Sequence, residues 1–268
     1  MPGLPITASI DGAGWSVRVG TSRLMQTSVT VLRSGREALV VDAPYFPDEL
    51  ADLPALAAGA NVRLFATHSH FDHLMARYAF PSVALVVGTP TVRALAGDPG
   101  RPLADLLAED SRCYVGRDRP LSFGTLDAVN LPGQVELGPY DLELIEAPGH
   151  TADGTALWFA EARVLCCGDY LSDVEIPLLS EAGSLEDYRA TLERLATHLP
   201  LARLLVPGHG SACTGAQALT RLREDLSYLD AMPAGDPRQP LPAGRDTPRQ
   251  REIHRANLKR HGPKKAGR

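Results

Sequence analysis

The chain is poor in the features that mark membrane or disulfide-built proteins. Among 268 residues there are four cysteines, Cys113, Cys166, Cys167 and Cys213, with no CxxC pair. That spacing excludes a disulfide framework and a separate zinc ribbon, and the thiols read as small buried hydrophobes. No run approaches the roughly 18 apolar residues that a membrane-spanning helix needs. Residues 1–20 lack a basic stretch leading into an apolar one, so secretion is not expected and a cytoplasmic location is. No internal repeat of fixed period occurs. Positive charge is scarce in the body: the formal net charge is −5, yet residues 233–268 alone carry ten Lys/Arg against three Asp/Glu, which leaves residues 1–232 at −12. An acidic body is a poor partner for nucleic acid.

What is present fits one catalytic-sized domain, with 44% hydrophobic and 22% charged residues. Short β-rich runs cover residues 15–20, 27–32 and 37–41, the last ending in Asp42. Further apolar runs each stop at a potential ligand: 62–66 before His68, 142–147 before His150, 163–167 before Asp169, and 203–206 before His209. Strand ends are where α/β folds collect their ligands. Helices are expected at 74–80, 90–96, 184–198, with Ser184 as cap, and 215–229. Residues 97–132 are punctuated by Gly and Pro and read as a partly helical insertion over the site. The expected division is therefore a catalytic domain over 1–232 containing that insertion, followed by a Pro-rich linker and basic tail over 233–268, with one short helix at 249–260.

The densest chemistry is His68-Ser69-His70-Phe71-Asp72-His73. Three imidazoles and a carboxylate in six residues can supply most of the ligands of one or two transition-metal ions. On an extended segment His68, His70 and Asp72 point one way, and a turn at Asp72 carries His73 to a second position, which favours two metals.

In order along the chain, Asp42 in Val-Val-Asp-Ala-Pro, the His68–His73 cluster, His150 in Ala-Pro-Gly-His-Thr, Asp169 in Cys-Gly-Asp-Tyr and His209 in Val-Pro-Gly-His-Gly resemble the metallo-β-lactamase superfamily of hydrolases, with a glyoxalase II-like ligand set. The resemblance implies an α/β, four-layer αββα sandwich of two mixed sheets flanked by helices. It implies that His68, His70 and His150 hold one metal, that Asp72, His73 and His209 hold another, and that Asp169 bridges them. Two Zn²⁺ per chain are expected, with Fe or Mn as alternatives. Asp42 would orient a ligand, Asp72 would orient a metal-bridging hydroxide or pass a proton to the leaving group, and Tyr170 is a candidate to hydrogen-bond a substrate carbonyl. The implied activity is hydrolysis of a small thioester, lactone or ester by that hydroxide, making the chain a metallo-hydrolase (a thioesterase or lactonase).

Two alternatives stand beside it. A persulfide dioxygenase-like oxidoreductase would use one iron, and a nucleic-acid phosphodiesterase is disfavoured by the acidic body. His70 argues against a flavo-diiron protein, in which glutamate usually replaces the second cluster histidine. A carboxylate at 169 disfavours β-lactam hydrolysis, for which Cys or Ser is usual there. The glutathione-gripping helical domain of glyoxalase II has no counterpart, and the usual Thr-Pro-Gly is replaced by Thr151-Ala152-Asp153-Gly154. A small-molecule substrate is the expected partner, with no membrane, and a homo-oligomer is compatible with the sequence. Arg112, Arg117, Arg119, Lys259 and Arg260 read as solvated surface, with an acidic substrate tail as their other use.

Overall fold

Apolar residues at successive positions of 38–41 and 62–66 belong to strands covered on both faces. In the computed structural model, which describes residues 3–262, they lie in the middle of a seven-stranded sheet. Its strands run in chain order: β1 (Ile6–Gly12), β2 (Trp15–Thr21), β3 (Ser28–Ser34), β4 (Glu37–Val41), β5 (Asn61–Phe65), β6 (Leu85–Gly88) and β7 (Leu126–Val129). Pairing is antiparallel from β1 to β4 and parallel from β4 to β7. The second sheet holds β8 (Gly133–Leu137), β9 (Tyr140–Glu146), β10 (Thr155–Phe159), β11 (Val164–Cys166) and β12 (Leu204–Val206), in the order β12-β11-β10-β9-β8. Only its β11/β12 pair is parallel.

The helices are α1 (Pro47–Leu50), α2 (Leu53–Leu56), α3 (Ala76–Ala79), α4 (Thr89–Gly97), α5 (Gly100–Cys113), α6 (Leu185–Ala196), α7 (Gly215–Ala231) and α8 (Pro248–His261). Three apolar clusters define four layers. Leu39, Val41, Phe65 and Val86 meet Leu142, Leu144, Leu157 and Val206 between the sheets. Val40, Leu64, Leu85 and Val87, on the opposite face of the first sheet, are covered by Leu50, Leu53, Leu95 and Leu106 from the flanking helices. Ile145, Trp158, Leu165 and Leu205 of the second sheet pack under Leu192, Leu195, Leu222 and Leu229. Strand alternation thus sends neighbouring residues into two different cores, and the αββα expectation is borne out.

Helix α6 begins where its cap predicts, with the Asp187 amide donating to Ser184 Oγ at 3.2 Å. Thr214 caps α7, and its hydroxyl accepts from the Gln217 amide. The insertion differs from the expectation of one flap over the site. Its 14-residue α5 has an N-terminal turn beside the site, but β7 extends the first sheet, and the buried Asp110 of α5 accepts from Arg117 and Tyr45. Asp110 shares the buried face of α5 with Pro102 and Leu106, at four-residue spacing.

The segment after residue 232 also differs from the linker expected. Arg245 is fully buried and paired with Asp225 and Glu224. Gln250, His254 and Asn257 of α8 are buried as well. Gln250 Oε1 accepts from the Ile176 amide at 2.9 Å, and Asn257 bridges the Leu179 amide (3.0 Å) and the Pro177 carbonyl (2.7 Å). Polar rather than apolar residues dock this helix, so an apolar stripe is not what marks it.

Candidate metal centre

The site forms where β4, β5, β11 and β12 end. Asp42 follows β4 directly in a left-handed conformation, φ 55°, that non-glycine residues rarely adopt. In that posture its carboxylate accepts from the Thr67 amide (2.9 Å), the Thr67 hydroxyl (3.0 Å) and His73 Nδ1 (3.0 Å). The chain then makes a short 3₁₀ turn, Phe71–His73, which brings His73 to the group of Asp72 and His209 while its ring stays 4.1 Å from that of His68. Glycine is needed twice nearby. Gly149 has φ 130°, and a Cβ there would lie 2.3 Å from the Tyr188 backbone. A Cβ on Gly208 would lie 2.1 Å from Asp169 Oδ1.

Second partners set the histidine tautomers. His150 Nδ1–H donates to the Leu178 carbonyl (2.8 Å), His209 Nδ1–H to the Met25 carbonyl (3.0 Å), and His73 Nδ1–H to Asp42. The Thr67 hydroxyl donates to Asp42 and so accepts from His68 Nδ1–H at 3.2 Å. All four therefore turn an Nε2 lone pair inward, whereas His70 presents Nδ1, 3.1 Å from His150 Nε2. Asp169 lies between the two groups. Its Oδ2 is 3.0 Å from His150 Nε2, 3.8 Å from His68 Nε2 and 3.5 Å from His209 Nε2, and its Oδ1 is 3.2 Å from His73 Nε2. Asp72 Oδ2 is 3.3 Å from His209 Nε2. Donor atoms of His68, His70, His150 and Asp169 all lie within 4.8 Å of one another, and so do those of Asp72, His73 and His209. His68 Nε2, His73 Nε2 and Asp169 Oδ1 are buried with no hydrogen-bond partner. Orphaned donor atoms converging in this way fit cations.

Electrostatics divides the cluster. Burial, reinforced by the neighbouring His73, pushes His68 well below the ordinary imidazole value, and burial beside His150 pushes His70 down to about 3. Both are neutral ligands over most of the pH range. Burial also opposes charge on His73, His150 and His209, but carboxylates outweigh it: Asp42 foremost for His73, and Asp169 for the other two. Those three hold a second proton, on Nε2, more readily than a free imidazole does, and a cation competes with that proton for the same lone pair. Asp72 and Asp169 are held below the ordinary carboxylate value, since the facing imidazoles overcome the burial that would raise them.

Tyr170 departs from its expected role. Its ring is buried, and its hydroxyl accepts from the His150 amide (3.0 Å) while directed at the Ala147 and Pro148 carbonyls (2.9 and 2.8 Å). It shapes the His150 turn and does not face a substrate. Cys167 Sγ points away too, donating to the Tyr170 carbonyl at 3.1 Å. Arg117 is taken up by Asp110, Arg112 by Glu109, and Arg260 by the Leu179 carbonyl, so none of them reaches the cluster. Thr67 and Asp153 were not singled out by the motifs. Asp153 accepts from the Ser69 amide at 2.9 Å and ties the His150 loop to the histidine cluster, which gives the altered Thr151-Ala152-Asp153-Gly154 turn a structural use. Glu175, six residues past Asp169, also has an oxygen within 4.8 Å of Asp169 and His209 donors. A short-range signal existed in the Asp-Tyr-Leu-Ser-Asp-Val-Glu run, which holds three carboxylates in seven residues.

A cavity of about 290 Å³ opens beside His70, lined by Leu95, Pro102, Ala152 and Ala182 and flanked by Arg93 and Arg101. Larger cavities of about 410 and 630 Å³ lie around Tyr78 and Arg117, and no histidine lines them. The one in contact with the cluster has the better claim on substrate. No helix among the described residues is long and apolar enough to cross a membrane.

Comparison with known proteins agrees. A hydroxyacylglutathione hydrolase from Rhodospirillum rubrum is 29% identical over 163 residues, which cover 58% of this chain. The chain spans about half, 53%, of that relative's length. The fold is shared with a DIM-1 metallo-β-lactamase exposed to ceftazidime (TM-score 0.61, 16% identity, 85% of this chain and 98% of that one). It is shared also with a metallo-β-lactamase from Pontibacter korlensis (TM-score 0.54, 20% identity, 82% and 99%). With residues 22–209 matching the family itself, from the turn after β2 to the last histidine of the cluster, the chain belongs to the metallo-beta-lactamase superfamily.

Proposed function

We propose that the protein is a metal-dependent hydrolase of a small thioester, lactone or ester, with two cations, zinc foremost, as its cofactor. The observation that carries this reading is the convergence of inward-facing lone pairs from five histidines on the Asp169 carboxylate, three of the donor atoms being buried without a partner. His68, His70 and His150 would hold one cation, Asp72, His73 and His209 the other, and Asp169 both. When bound, such a pair supplies a water acidified to near neutrality and a Lewis acid for the scissile carbonyl.

The chain's own residues do the rest. Asp42 and the Leu178 and Met25 carbonyls keep the imidazoles in the tautomers that leave Nε2 unprotonated. Asp72, whose Oδ2 faces His209, would carry a proton to the leaving group. The cavity beside His70 would take the acyl portion, its apolar wall excluding water. Cys167 is a poor nucleophile, since its Sγ donates to the Tyr170 carbonyl and burial pushes the thiol well above its ordinary value. The likeness to a hydroxyacylglutathione hydrolase supports a thioester.

The test is metal content of protein purified without added metal, alongside turnover of thioester, lactone and phosphodiester reporters. About two zinc ions per chain with thioester or lactone turnover is the expected result. One iron per chain with oxygen uptake and no hydrolysis would replace it with the dioxygenase reading.

A further inference from the structure

One carboxylate facing the cluster belongs to none of the family motifs. Glu175 sits on the segment that leaves Asp169, and one of its oxygens lies within 4.8 Å of donor atoms of both Asp169 and His209. Its side chain makes no hydrogen bond or ion pair among the described residues. Its backbone, by contrast, is held firmly: the amide donates to Ser172 Oγ at 3.0 Å, and the carbonyl accepts from Arg245 at 3.0 Å. The side chain is half-buried, and a carboxylate partly withdrawn from water with no partner carries a desolvation cost. The neighbouring Asp169 Oδ1 is buried and faces only His73 Nε2, at 3.2 Å. A cation shared by these oxygens offsets that cost.

We propose that Glu175 is a further metal ligand, belonging to the position of Asp72, His73 and His209. The inference rests on the metal-centre reading above. Its consequence is an asymmetric centre. The position of His68, His70 and His150 has three nitrogens plus one Asp169 oxygen, a set that suits zinc. The other gains a third carboxylate beside Asp72 and Asp169 and keeps two imidazoles, a set richer in oxygen and suited to harder cations such as Mn²⁺.

The experiment compares wild type, Glu175→Gln and Glu175→Asp, each stripped with chelator and checked by thermal melting. Each is titrated with Mn²⁺ alone, with free Mn²⁺ read by electron paramagnetic resonance, and with Zn²⁺ alone against a chromophoric chelator. Loss of an outer partner of a ligand already costs about 10- to 100-fold in metal affinity, so removal of a donor should weaken Mn²⁺ binding by at least roughly tenfold. The tighter Zn²⁺ step should stay within roughly twofold of wild type, because its nitrogens are untouched. Glu175→Asp keeps the charge with a shorter reach and should fall between the two; it decides the matter if the Gln variant does not fold, an affinity equal to wild type counting against the proposal. Equal Mn²⁺ affinity in wild type and Glu175→Gln overturns Glu175 as a ligand and leaves the metal-centre reading standing. Failure of the wild type to bind either cation overturns both.

Discussion

The metal cluster and the C-terminal segment are both buried polar constructions, but they are built by opposite means. In the cluster, seven side chains with metal-binding chemistry converge from strand ends, and their identities announce their use. In the segment from Arg245 to Asn257, ordinary polar side chains hydrogen-bond the backbone of residues 175–179. The two meet at Leu178, whose carbonyl orients His150 while Asn257 grips the residues on either side of it. Chemistry is concentrated in the first region and positioning in the second, so each depends on the other.

The comparison breaks most sharply if the cluster can be damaged without consequence. Asp169→Ala or His70→Ala should lose most metal and cut turnover by at least roughly 100-fold, with unchanged far-ultraviolet circular dichroism. Two retained metals with full turnover would end the assignment. Next in size, Arg245→Ala leaves Asp225 buried without its cation, the pair being 1% exposed on each side. It should cost about 3–5 kcal/mol in denaturant unfolding, whereas a free linker would show no change. Asn257→Leu should cost about 1–3 kcal/mol and weaken metal binding as an orienting partner does; metal affinity equal to wild type would uncouple the two regions.

Protonation offers a gentler probe. His73, His150 and His209 are raised above 6.5 in the metal-free protein, so loading at neutral pH should release protons and apparent affinity should fall as pH falls. Calorimetry in buffers of different ionisation enthalpy reads the proton count directly. The sign for stability is the reverse. Raised imidazole values stabilise the metal-free fold fully below pH 6.5 and lose that contribution as pH rises through them. The smallest effect is expected of Tyr170→Phe, about 1 kcal/mol from lost backbone hydrogen bonds with nearly unchanged turnover. A collapse in turnover without loss of metal would return the hydroxyl to the reaction.

The candidate cluster was legible because a histidine-rich motif at a strand end has few other physical uses, and the apolar runs marked individual strands, while their division into two sheets came from the family resemblance. Asp42 was readable as a residue but not as a posture, since a left-handed backbone leaves no trace in a Val-Val-Asp-Ala-Pro string. Helix α5 was obscured by the Gly and Pro residues at 97, 99, 100 and 102, which read as punctuation although the helix starts among them, while Asp110 on its buried face is tied to Tyr45 and Arg117. The helix expected at 249–260 is present as α8, but its docking, and that of the residues leading to it, was obscured for a related reason. Proline density and basic charge are local properties, whereas the burial of Arg245, Gln250 and Asn257 depends on acceptors and donors 20 to 80 positions away. Tyr170 shows the converse, since adjacency to Asp169 in the chain says nothing about which way a ring turns.

The grip of Asn257 on the Leu178 segment also has a meaning in time. A ribosome has made every motif ligand once His209 is in the chain, yet the contact that steadies the His150 carbonyl partner comes 48 residues later by the numbering. Domains generally fold as units, N-terminal parts first during synthesis. The nascent sandwich can therefore collapse around its sheets while its metal pocket is still loosely framed, and cation capture tightens only when the last described helix has cleared the exit tunnel.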